Sequence, residues 1–261
     1  MDLHGRTVRR DVRELGELLG DVLADQTPTG GFETVESLRT AAIDYRRGDR
    51  PSRDDLQQIL ASIDTATEHV VARAFTTYFE LINLAEERQR VRVIRESRQD
   101  GTIEHGLAEA ADSLTAVDAT TQRQILDDVL IEPTFTAHPT EARRKTIKAK
   151  LRSIADALET LDERRLSDDE HRGLLRDIEA EVISLWQTSQ VRARQPEPED
   201  EARNVQWYFE NTLFDVIPEV YDELSSHLGE VGDGSIEIPP VFEFHSWAGS
   251  DRDGNPYVTT D

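Results

Sequence analysis

Cysteine is absent from the 261 residues, methionine occurs once, and only three of the 30 basic residues are lysine (Lys145, Lys148 and Lys150). Without cysteine there is no disulfide framework and no thiolate chemistry. No run approaches the roughly 18 consecutive apolar residues that a membrane-spanning helix needs. Met1 to Arg10 carries Arg6, Arg9 and Arg10, but no apolar stretch follows. An ordinary secretory signal is therefore not expected, and the expected compartment is the cytoplasm. A positive charge balance is also missing. The formal net charge is −23, with 53 acidic residues, which excludes a nucleic-acid binder that works by neutralising phosphates. Abundant carboxylates with almost no lysine are the balance expected of a protein working in concentrated salt, where self-repulsion is screened. An acidic interaction surface at ordinary salt is the other reading.

What is present is helical periodicity. Leu15, Leu18, Leu19, Val22 and Leu23 form one apolar stripe, broken at Thr27-Pro28-Thr29-Gly30-Gly31. Val35, Leu38, Ala42 and Tyr45 mark a second helix. Ser52 opens a third that carries Leu56, Ile59, Leu60 and Ile63. A long helix is expected near Glu68 to Val93, with Val71, Ala74, Phe75, Tyr78, Phe79, Ile82 and Ala85 inward, and two shorter ones within Leu107 to Val129. The second half changes character. Ile131 to Ala137 and Val241 to Trp247 read as strands. Between them, Ile147, Leu151, Ile154, Leu158 and Leu161, then Leu174, Leu175, Ile178, Val182 and Trp186 after Ser167, read as an antiparallel helical hairpin. A further helix spans about Ala202 to His227, kinked near Pro218. The division expected is residues 1–129 as a helical region and residues 130–261 as the incomplete start of an α/β domain carrying the hairpin as an insertion. Parallel strands need neighbours, so the sequence reads as part of something longer.

Two segments carry chemistry. In Thr136-Ala137-His138-Pro139-Thr140-Glu141 the residue before proline is driven to an extended conformation. His138 is thus expected where the strand ends, ahead of a helix that Pro139 opens. Imidazole titrates near neutrality and can move a proton there. Arg143, Arg144, Lys145 and Lys148 sit in the first turns of that helix, where the dipole prefers acids, so they fit a bound anion. The spacing alone leaves His138 open as helix cap or as catalyst. His138-x-x-Glu141 lacks the second histidine of a metal site. The other segment is Trp247-Ala248-Gly249-Ser250-Asp251-Arg252-Asp253-Gly254-Asn255-Pro256. Arg252 stands between two carboxylates that would orient its fork toward a planar anion. A calcium loop is excluded because Pro256 stands where that loop needs glycine. A tight turn knit by salt bridges is the simpler alternative.

Together these segments resemble two signatures of the phosphoenolpyruvate carboxylase family. The resemblance extends to Val71-Ala72-Arg73-Ala74-Phe75 with Asn83-Leu84-Ala85-Glu86, to Leu185-Trp186 with Thr188, to Pro196-x-Pro198-x-Asp200-Glu201-Ala202 and to Glu210-Asn211-Thr212-Leu213. It implies the amino-terminal portion of an α/β barrel heavily overlaid with helices, usually a homotetramer. It implies a carboxy-lyase that forms oxaloacetate and phosphate from phosphoenolpyruvate and bicarbonate, feeding the tricarboxylic acid cycle. It implies Mg²⁺ or Mn²⁺ with ligands outside these residues, His138 as the catalytic base, and Arg144, Lys145, Arg252 and Asp253 as substrate-binding or site-organising groups. With the acidic composition it points to a halophilic archaeal source. Lys145 stands where arginine is usual. Ala248 and Ser250 replace a larger apolar residue and a glycine, Tyr257 a small polar one, and Ser189, Gln190 and Gln195 an acidic pair and an arginine. The 261 residues alone are expected to be inactive. A dikinase-type phosphotransferase, or a non-catalytic regulatory or assembly module, are the competing readings.

Overall fold

The computed structural model describes residues 4–48, 54–101, 106–136, 145–189, 197–229, 238–250 and 257–258. They are mostly helical, and the chain divides into two compact units. One is Met1–Glu96 with Arg143–Gln190; the other is Ser97–Ala142 with Val191–Asp261.

The first unit holds α1 (Val8–Gln26), α2 (Gly31–Arg47), α3 (Asp54–Ser62), most of α4 (Thr65–Asp100), α7 (Lys145–Glu163) and α8 (Asp168–Gln187). Thr7 caps α1 by accepting from the Arg10 N–H. The predicted stripe turns inward: Leu15, Leu19, Val22 and Leu23 are buried. They share one core with Val35, Leu38, Val71, Ala74, Ile154, Leu158, Ile178 and Val182. Each such leucine, isoleucine or valine side chain withdrawn from water contributes about 1.5–3 kcal/mol. The hairpin forms as read. Ser167 and Glu170 make a reciprocal capping box at the start of α8, and Ile147, Ile154 and Leu158 of α7 are buried against α8.

Several expected core positions differ, Leu60 of α3 among them, which is exposed. Ala41, not Ala42, is the buried alanine of α2. Leu175 is 37% exposed and Phe79 is 51% exposed. On α4 the inward face is instead completed by Thr77, Glu80, Arg88 and Arg92. Helix α4 buries a polar stripe that apolar periodicity cannot register, because the carboxylates that satisfy it come from α1 and α7. Ser52, expected to open α3, lies outside the described residues.

The second unit holds α5 (Leu107–Thr115), α6 (Ala119–Asp128), β1 (Thr134–Phe135), α9 (Pro198–Tyr208), α10 (Phe214–Gly229) and β2 (His245–Ser246). Asp118 caps α6 by accepting from the N–H groups of Thr120 and Thr121. A small core gathers Ala111, Leu126 and Leu228. The helix expected from Ala202 begins earlier, at Pro198, where proline's fixed φ suits the first helical position. It is interrupted by one π-helical turn, Phe209–Leu213. That wider turn lies directly ahead of Phe214, whose carbonyl Pro218 cannot serve for want of an N–H. The kink thus begins one turn upstream of the proline.

The two expected strands find each other. β1 and β2 pair in parallel, Thr134 opposite His245 and Phe135 opposite Ser246, with a further bridge between Ile131 and Phe242. The regular pairing is shorter than either predicted strand. One face carries Phe135, Phe242 and Phe244, whose rings meet Phe209 and Tyr221. The other carries Glu132, Glu243 and His245.

Candidate active site

Parallel pairing places the carboxyl ends of β1 and β2 side by side. The last ladder bond runs from the Trp247 N–H to the Phe135 carbonyl, 2.8 Å. Both signature segments therefore leave the sheet from the same edge. In open and closed α/β sheets that edge is where ligands collect. His138, Arg144, Arg252 and Asp253 themselves lie outside the described residues. Lys145 begins α7. Among the described residues, then, the structure brings together the strand ends from which the candidates extend.

The turn after β2 is built in detail. Gly249 has φ +77°, a left-handed conformation that favours glycine. A Cβ there would meet the Pro198 carbonyl oxygen at 3.3 Å. Its N–H donates to Glu201 Oε2 at 3.0 Å, and Glu201 is buried. The Ser250 N–H and hydroxyl both donate to the Trp247 carbonyl at 3.0 Å. The start of the second signature is thus pinned to the first turn of α9. The two segments quoted separately in sequence, Pro198 to Ala202 and Trp247 to Ser250, are in contact.

Beside this turn lies a groove of about 520 Å³ lined by Ala202, Val205, Phe209, Phe214, Ser246 and Ala248, among others. Sequence reading missed it. Its wall is shaped by the π-helical turn, which no spacing rule announces, and the one available signal was the small side chain of Ala248. On the far face of the strand pair, His245 Nε2 stands 3.2 Å from Glu132 Oε1 and 3.7 Å from Glu243 Oε1. Of the cations read as an anion cradle, Lys148 is exposed. The neighbouring Lys150, outside that group, donates to the Ser184 hydroxyl, 2.5 Å away, and stands 3.7 Å from Glu181. Among the described residues no three histidine or carboxylate groups converge to hold a metal ion. No helix of the described residues is long and apolar enough to cross a membrane.

The model of a family described as phosphoenolpyruvate carboxylase matches residues 8–261. A protein named phosphoenolpyruvate carboxylase from Roseiflexus castenholzii is 42% identical over 261 residues, covering 95% of this chain and 27% of the relative. Proteins of the same name are 34% identical in an Azoarcus species, over 97% of this chain and 29% of the relative, and 33% identical in Rhodothermus marinus, over 99% and 29%. The chain spans less than a third of the length of these relatives.

Proposed function

This chain belongs to the phosphoenolpyruvate carboxylase family, and we propose that the whole protein carboxylates phosphoenolpyruvate with bicarbonate, giving oxaloacetate and phosphate. The observation that supports this most is the parallel pair itself. It sets the first residues of the two signature segments side by side, Phe135 against Ser246, which supports a reading in which a base from one segment and an anion-binding fork from the other serve one substrate.

In this reading bicarbonate attacks the phosphoryl group, the bond to the enol oxygen breaks, and carboxyphosphate forms beside the enolate of pyruvate. His138 takes the carboxyl proton of carboxyphosphate, which then releases CO₂ beside the enolate carbon. A positioned base of this kind contributes about 10²–10⁴-fold. Arg144, Lys145 and Arg252 hold the anions together in a fixed orientation, and Asp253 sets the Arg252 fork. Mg²⁺ or Mn²⁺ serves the whole protein by offsetting phosphoryl charge. The described residues do not form a site that fits such a cation. The barrel, a homotetrameric assembly and a cytoplasmic location complete the proposal. Salt adaptation, with the halophilic archaeal source that accompanies it, rests on composition alone.

His138→Asn in the whole protein tests the base. Oxaloacetate formation is expected to fall at least a hundredfold, at the lower bound of about 10² for a lost base, while bicarbonate-dependent phosphate release from phosphoenolpyruvate persists. Unchanged oxaloacetate production rejects the assignment.

A further inference from the structure

Among the described residues Arg73 has no carboxylate partner, in a strongly acidic chain. Arg6, Arg39, Arg88, Arg92 and Arg95 each face a carboxylate. Arg73 makes no ion pair with any described residue, and its Nε is shut off from water with no hydrogen-bond acceptor. Its guanidinium lies over the ring of Trp186, 4.4 Å from the centroid, and Trp186 is itself buried. Burial lowers Arg73 from its ordinary pKa.

A side chain needed only to cover the indole would be better served by methionine or leucine, which bury no unpaired donor. Guanidinium differs from these by its rigid edge of N–H donors. Stacking on an aromatic face occupies the plane, and with Nε enclosed the two terminal nitrogens of the half-buried side chain are the donors left to match carboxylate and phosphate oxygens. We infer that Arg73, backed by Trp186, is a receptor for a small oxyanion, a phosphate or carboxylate group, on the first compact unit. The inference does not depend on the carboxylation chemistry proposed above.

The test is thermal unfolding of the 261-residue chain in inorganic phosphate, in malonate and in chloride at matched ionic strength, for the wild type and Arg73→Met. Phosphate and malonate strengthen burial generally by exclusion from the surface, and that effect acts on both proteins. The expected result is an additional, saturable rise in Tm in the wild type with one of the two anions, absent from Arg73→Met. Equal shifts in both proteins, or none, overturn the proposal. Should Arg73→Met fail to fold, Arg73→Lys keeps the charge and loses the fork. Its apparent affinity is expected to weaken on the order of tenfold. A second readout uses a Trp207→Phe/Trp247→Phe background, in which Trp186 is the sole indole. Saturable change in its fluorescence supports the site, and a strictly linear response counts against it.

Discussion

Asp162 shows how much of the first unit depends on charges that no helical stripe reveals. Its side chain is fully buried, as is that of Asp11. Arg92 bridges them, donating to Asp162 Oδ2 at 2.8 Å and to Asp11 Oδ2 at 2.7 Å. Arg6 adds a backbone N–H to Asp162 and its side chain to Asp11. Such a network is weak evidence for net stability, yet removing one member strands the others in a dry interior. Asp162→Asn is expected to cost about 3–5 kcal/mol in urea unfolding. Burial pushes the Asp162 carboxyl up, but the Arg92 hydrogen bond and charge and the Arg6 N–H together outweigh it and hold it below the usual carboxylate range. A carboxyl depressed in the folded state stabilises above its unfolded pKa, about 3.9, and loses that contribution as pH falls through the folded value. Acid unfolding of Asp162→Asn should therefore lack part of the wild-type slope below about pH 4. Partners 70 and 81 residues apart in sequence leave no local signature, which is why Leu161 was legible as core and its neighbour was not.

At the scale of elements, what sequence made visible was whatever repeats every three or four residues or is written in turn and cap chemistry. The hairpin, the Ser167 start and the α1 stripe all follow from such rules. The strands were each legible from β-branched and aromatic residues, but their partnership was not, since pairing is a long-range choice. The candidate site was legible only as motifs. The link from Gly249 to Glu201, which anchors one of them, appears only in three dimensions. Gly249→Ala tests that anchor. A side chain must there adopt a left-handed backbone and press on the Pro198 carbonyl, costing about 1–2 kcal/mol. Faster amide exchange at Ser250, whose N–H bonds Trp247, is the expected local sign. Unchanged exchange would mean the turn tolerates the strain.

For the whole molecule the dominant quantity is a net charge of −23. At dilute ionic strength these carboxylates repel over tens of ångströms, whereas in about 1 M salt the screening length falls to about 3 Å. Tm is accordingly expected to rise from dilute buffer to molar KCl. Equal values in the two would refute the salt-adapted reading. All three lysines fall in the first two turns of α7, so the rest of the surface relies on arginine for its cations. The strand pair has a different consequence, in time. Thr134 and its partner His245 are about 110 residues apart in the chain, and α7, α8, α9 and α10 are made between them. During synthesis β1 leaves the ribosome with no partner until all four have followed. Non-local pairing of this kind is slow to form and exposes an unpaired edge meanwhile. Ile131 to Phe135 thus stays an unpaired segment of the nascent chain until Phe242 to Ser246 has been made.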